Sequence, residues 1–119
     1  MTNNLTADHR LATYGTLAPG KTYHHIVSNI EGEWITGTVR GHRYDSGWGA
    51  AHGYPGIKLD DYGQEVPVHV LISKDLPEYW PRIDEFEGGG YKRVPVMTQT
   101  VKGLMEVSIY ELEEEPVTD

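Results

Sequence analysis

The chain has 119 residues, 38% hydrophobic and 24% charged, which fits one globular domain with a modest core and excludes a second full domain. No cysteine is present, so disulfides, thiolate zinc sites and a cysteine nucleophile are excluded. Ten basic against eighteen acidic side chains give a formal charge of -8, which argues against a nucleic-acid partner. The polar stretch from Met1 to His9 has neither the basic n-region nor the apolar run of a signal or membrane segment. The expectation is a cytoplasmic protein with no membrane partner, its oligomeric state left open.

Taken in chain order, residues 10–17 alternate loosely and end at Ala18-Pro19-Gly20, which predicts a strand entering a loop. A short helix is expected over 21–29. From 31 to 44, Trp34, Thr36, Thr38 and Arg40 alternate with Ile35, Gly37, Val39 and Gly41, a long strand whose glycines suit tight curvature. Asp45-Ser46-Gly47 turns the chain. A brief strand at 53–59, a turn at Asp61-Tyr62-Gly63 and a strand at 65–73 read as a pair. Asp75-Leu76-Pro77-Glu78 carries the signature of a helix start, an acidic cap with Glu three positions on and Pro in the first turn. The helix runs to Glu87 and stops at Gly88-Gly89-Gly90. Leu76, Trp80, Ile83 and Glu87 share one stripe, unless Pro81 kinks or splits the segment. Residues 91–101 and 104–112 alternate around Lys102-Gly103, a hairpin. Segments 1–9 and 113–119 are expected to be flexible. The pattern predicts a curved, mostly antiparallel sheet or small barrel with one principal helix, in a single domain over 1–119.

Glu87 is the most informative residue. A carboxylate on a helix's apolar stripe loses the hydration that favours its charged form, and the helix C-terminus opposes an anion as well. Both raise its pKa toward the range of a general base at neutral pH. The competing reading is a solvated terminal glutamate, or a partner for Lys92 or Arg93. A second feature is Tyr14-Gly15-Thr16-Leu17-Ala18-Pro19-Gly20, a strand end able to aim successive N–H groups at an anion, with Gly15 admitting a close approach and Thr16 adding a hydroxyl. Its competing reading is an ordinary turn. Tyr14, Tyr91 and Tyr110 fall on or beside predicted strands, where tyrosines either pack or face a pocket. His24-His25, His42, His52 and His69 lack metal-ligand spacing, and Gly-x-Ser-x-Gly does not occur, so metal centres and serine hydrolases are disfavoured. Trp34, Trp48 and Trp80 read as core or rim aromatics.

Two ordered motifs then carry a resemblance. Tyr14-Gly15-Thr16-Leu17-Ala18-Pro19-Gly20 with His24-His25 resembles the Y-G-[ST]-L-x-x-G loop, and Asp84-Glu85-Phe86-Glu87-Gly88-Gly89-Gly90-Tyr91-Lys92-Arg93 resembles the E-G-x-x-Y-x-R segment, of the γ-glutamylcyclotransferase superfamily and its small AIG2-like members. Tyr54-Pro55-Gly56-Ile57 between them also fits. The resemblance implies an α+β fold, a small mixed, mostly antiparallel β-barrel with flanking helices. It implies cyclisation of a γ-glutamyl amine or amino acid to pyroglutamate, with Glu87 as the catalytic acid/base. Tyr14, Gly15, Thr16 and Leu17 would bind the glutamyl moiety, Tyr91 and Tyr110 would line the pocket, and Arg93 would pair structurally with an acidic neighbour. No metal or cofactor is expected, because the nucleophile belongs to the substrate. The alternative is a non-catalytic module binding a γ-glutamyl or amino-acid-like ligand, and a third reading is a β-barrel interaction domain with Glu87 exposed and ion-paired.

Overall fold

A computed structural model describes residues 5–46 and 54–113. Gly47, Trp48, His52 and Gly53, and the segments 1–4 and 114–119, lie outside the described residues. The strands are β1 (Arg10–Thr13), β2 (Glu33–Tyr44), β3 (Gly56–Leu59), β4 (Gln64–Ile72), β5 (Tyr91–Thr100) and β6 (Gly103–Leu112), with one α-helix, α1 (Leu76–Glu87), between β4 and β5. Strands β2, β4, β1, β6 and β5 form a closed barrel, sealed where Gly37 and Thr38 of β2 meet Thr100 and Gln99 of β5. The β1–β6 pair is parallel and the others antiparallel, so the barrel is mixed.

Period-two alternation splits the core in two. Ala12, Ile35, Val39, Val66, Val68, Val70, Val107 and Ile109 belong to one cluster with Ile57, filling the barrel. Their neighbours Leu11, Leu71 and Tyr110 join Leu76, Trp80 and Ile83 of α1 in the other. The helix stripe is thus the apolar face read from the sequence, and each such buried side chain stabilises the fold by about 1.5–3 kcal/mol. Pro81 lies within an unbroken helix. Its ring removes one helix hydrogen bond, and the buried Leu76, Trp80 and Ile83 on either side hold the segment together.

Several expected details differ. The β1 ladder ends at Thr13, opposite His69, and residues 14–17 leave the sheet instead of continuing it. The helix expected over 21–29 is a single 3-10 turn, His24–Ile26. Strands β3 and β4 do not pair with each other. Both run antiparallel to β2 and meet at Gly41, which faces Leu59 in one register and Gln64 in the other. The turn between them offsets the chain without reversing it, with Gly63 N–H donating to Asp60 O at 2.8 Å. At the start of α1, Asp75 makes no side-chain cap, and the Ser73 hydroxyl accepts from Asp75 N–H at 3.1 Å in its place. The helix end is as expected: Gly88 takes φ +69° and donates to Asp84 O at 2.9 Å. Within the stretch 1–9, Ala7–His9 form a 3-10 turn, and Trp80 Nε1 donates to Asp8 O at 2.9 Å. Among the described residues no helix is long and apolar enough to cross a membrane.

Barrel closure tolerates no side chain at Gly37, where a Cβ would stand 2.7 Å from Gln99 O and 3.1 Å from the methyls of Thr98 and Thr100. Gly37→Ala is predicted to destabilise the fold by about 1–3 kcal/mol, read as a lower denaturant midpoint with little change in slope; an unchanged midpoint would contradict the closure described.

Candidate active site

The C-terminus of α1, the end of β1 and the start of β5 converge on a cavity of about 250 Å³. All seven residues singled out in the sequence line it: Tyr14, Gly15, Thr16, Leu17, Glu87, Tyr91 and Tyr110. The loop at 14–17 is shaped by its carbonyls. Gly15 O accepts from Ala18 N–H at 3.1 Å, Thr16 O from Tyr23 N–H at 2.9 Å, and Leu17 O meets His24 Nδ1 at 2.9 Å. The N–H groups of Gly15, Thr16 and Leu17 donate to no acceptor among the described residues. Three consecutive free donors are suited to an anion.

Glu87 is the last residue of α1 and partly buried. Among the described residues no hydrogen bond or ion pair engages its carboxylate, and burial pushes its pKa from the ordinary 4.5 up to about 7. The negative charge of Asp84, one turn earlier, adds to the shift. Of the two partners weighed for Glu87, Arg93 is committed elsewhere. Arg93 donates to Asp84 through Nε at 3.0 Å and Nη2 at 3.2 Å, and its guanidinium lies 4.2 Å from the centre of the Trp80 ring. Arg93 therefore has the acidic neighbour expected of it, and that neighbour is not Glu87. Glu87 is partly buried, and among the described residues no cation pairs with it.

The tyrosines bind backbone and carboxylate rather than one another. The Tyr110 hydroxyl donates to Asp84 Oδ1 at 2.5 Å, the Tyr14 hydroxyl to Tyr110 O at 2.6 Å, and the Tyr91 hydroxyl to Pro55 O at 2.5 Å. Each phenol is held protonated. Burial pushes Tyr91 up to about 12, with the Glu87 charge adding to it. Tyr14 and Tyr110 rise further, Tyr14 through burial and then Glu87, Tyr110 through burial and then its hydrogen bond to Asp84. These three neutral donors leave Glu87 as the group that titrates near neutrality in this cavity.

Sequence reasoning gave no role to Tyr23, Tyr54, Pro55 or Phe86, which also line the cavity, nor to Asp84 as the junction beneath it. Phe86 is adjacent to the base and off the helix's apolar stripe, and Tyr23 lies in a loop, so periodicity offered no signal for either. Asp84 was visible only as a motif position. The histidines are dispersed: His24 meets Leu17 O, and His42 pairs with Asp60 at 3.0 Å. Among the described residues no three His, Asp or Glu side chains gather as a metal site would require.

Residues 11–119 match the family described as "Gamma-glutamyl cyclotransferase, AIG2-like". The chain belongs to this family. Among solved structures it is similar to YkqA from Bacillus subtilis, with 20% identity over 92% of this chain and a TM-score of 0.69. The chain spans only 37% of YkqA. An uncharacterised protein from Pyrococcus horikoshii, PH0828, has 25% identity over 92% of this chain and 82% of its own, with a TM-score of 0.57. An AIG2-like protein from Mus musculus has 18% identity over 91% of this chain and 79% of its own, with a TM-score of 0.59. The mouse and Bacillus likenesses carry the fold alone. No functionally curated protein matches the sequence. For this AIG2-like domain, the barrel with its single helix is the α+β fold expected of the family.

Two predictions follow from the raised pKa of Glu87. The folded chain binds its proton more tightly than the unfolded chain, so stability falls as pH rises from 4.5 to about 7. Glu87→Gln removes that loss: the variant is predicted to be more stable than the parent by about 1–3 kcal/mol above pH 7.5, an advantage that disappears below pH 4.5. Parallel denaturation series across pH measure it, and a variant less stable at high pH would contradict the burial described. Asp84→Asn deletes the second cause and leaves Arg93 with only its looser pair to Asp8 at 4.0 Å, so the Glu87 carboxyl is predicted to titrate below the parent's value of about 7. Side-chain carboxyl NMR reads this directly; an unchanged or higher value would exclude Asp84 as a contributor.

Proposed function

We propose that this AIG2-like domain cyclises a γ-glutamyl amine or γ-glutamyl amino acid, releasing pyroglutamate and the free amine or amino acid. The observation that carries the reading is the Glu87 carboxylate, with its proton affinity near neutrality, sharing one cavity with the N–H groups of Gly15, Thr16 and Leu17, none of which has a partner among the described residues. Those N–H groups receive the substrate's α-carboxylate. That contact brings the α-ammonium toward Glu87, which removes a proton and frees the nitrogen lone pair.

The α-nitrogen then attacks the γ-carbonyl carbon of the same molecule, so no protein nucleophile is needed. The new C–N bond closes a five-membered ring, the proton held on Glu87 goes to the departing nitrogen as the old amide C–N bond breaks, and the ring nitrogen gives its surplus proton to the freed Glu87 carboxylate, leaving the lactam. Tyr14, Tyr91 and Tyr110 stay protonated, so among the described lining residues the only anion is the base itself.

Pyroglutamate release from a panel of γ-glutamyl amides tests the reading. The parent is expected to turn over at least one member, with kcat/KM rising with pH through about 7 as Glu87 loses its proton. Glu87→Gln, which keeps the shape but cannot act as a base or acid near neutrality, is expected to lower kcat by about 100-fold or more. Equal rates for variant and parent, or a profile flat between pH 5.5 and 8.5, would remove Glu87 from the reaction.

A further inference from the structure

Part of the cavity lining is aromatic, formed by Tyr23, Tyr54 and Phe86, with Tyr23 beside the 14–17 loop through its N–H bond to Thr16 O at 2.9 Å. Phe86 stands immediately before the base in sequence, and its ring meets that of Tyr23 edge to face, with centroids 5.3 Å apart and planes at 60°. Tyr54 lines the same cavity, and its neighbour Pro55 is held through the Tyr91 hydroxyl. Phe86 and Tyr54 remain 36% and 52% exposed, large apolar surfaces left in water at the mouth of a pocket. A ring from a ligand would bury that surface and add an offset or edge contact to the Tyr23–Phe86 pair.

The charges in the cavity point the same way. Among the described lining residues Glu87 is the sole ionisable side chain apart from the neutral tyrosines. In the proposed reaction it meets the α-ammonium, and the N–H groups of Gly15, Thr16 and Leu17 meet the α-carboxylate. Among the described lining residues, a second carboxylate on the leaving group would find no cation to pair it, and a second ammonium no further anion. Either would be desolvated against aromatic rings without compensation.

We infer that Tyr23, Tyr54 and Phe86 form the leaving-group subsite, and that it selects γ-glutamyl amides of uncharged aromatic monoamines over γ-glutamyl amino acids. This rests on the cyclisation reading for its chemistry, and on the aromatic wall alone for its binding preference. Phe86 is the specificity-determining residue, because it borders both the ring-binding wall and the base.

Binding and turnover are measured separately so that the two readings can fail independently. In the Glu87→Gln background, calorimetric titration at pH 7.5 compares γ-glutamyl-benzylamide with γ-glutamylglycine. The benzylamide is expected to bind about tenfold tighter or better. Adding Phe86→Ala should bring the two within about twofold, and Phe86→Leu, which keeps an apolar side chain, should retain part of the preference. Equal affinities for the two ligands, no binding of the benzylamide, or a preference untouched by Phe86→Ala would overturn the subsite. Pyroglutamate assays on the parent supply the second readout. Selective binding without pyroglutamate from any amide would support the subsite and remove the cyclisation reading. Turnover of γ-glutamylglycine as fast as of the benzylamide would leave the cyclisation and overturn the subsite.

Discussion

The Asp84 carboxylate accepts from the Tyr110 hydroxyl and from two nitrogens of Arg93, and this junction ties the last turn of α1 to both strands of the final hairpin. Tyr110 is in turn held by the Tyr14 hydroxyl on its main-chain carbonyl, so the junction extends to the loop that offers its N–H groups to the cavity. Arg93 is braced against the face of Trp80, a core residue of the helix. Helix and hairpin are therefore fixed by charge-assisted hydrogen bonds to Asp84, and the loop is joined to them by the neutral Tyr14–Tyr110 bond. Glu87, one turn beyond Asp84, is positioned by this frame without belonging to it.

That division of labour explains how a small barrel keeps an uncompensated carboxylate. Three cations have carboxylates of their own: Arg93 pairs with Asp84, Arg43 with Asp45, and Lys58 lies beside Glu111. An arginine left free near the cavity would pair with Glu87 and pull its proton affinity back down. Because Arg93 serves Asp84, it supports the helix end while Asp84's own charge helps to keep Glu87 hard to ionise. The stability lost in holding Glu87 partly buried is of the kind expected where a site is kept reactive rather than optimally folded. Barrel closure through Gly37 and the apolar stripe of α1 supply the rigidity against which that loss is borne.

Much of this was legible in the residues. Alternation identified β1, β2, β5 and β6, because each has one face in the barrel and the other in solvent or under the helix, and the flanking turns marked β3 and β4. The stripe through Leu76, Trp80, Ile83 and Glu87, followed by three glycines, located both the helix and its most informative side chain. What could not be read was non-local. The pairing of β3 with β2 depends on a 12-residue strand long enough to serve two partners in two registers, and no local pattern encodes that. The end of β1 at Thr13 depends on where its neighbours stop, and continued alternation through Leu17 gave the opposite impression. The hydrogen bonds of Asp84 join residues 9 and 26 positions away, beyond any helical or strand period. Tyr23 and Phe86 meet only once the loop folds over the helix end.

The central claim is that one cavity holds a γ-glutamyl group by its carboxylate at residues 14–17 and presents its amino nitrogen to Glu87. A crystal structure of Glu87→Gln soaked with a γ-glutamyl amide tests it most directly. The account predicts the α-carboxylate against the N–H groups of Gly15, Thr16 and Leu17, and the α-nitrogen within about 3 Å of the residue 87 side chain. A ligand bound in the reverse orientation, with its amino group turned toward the cavity mouth, would contradict it.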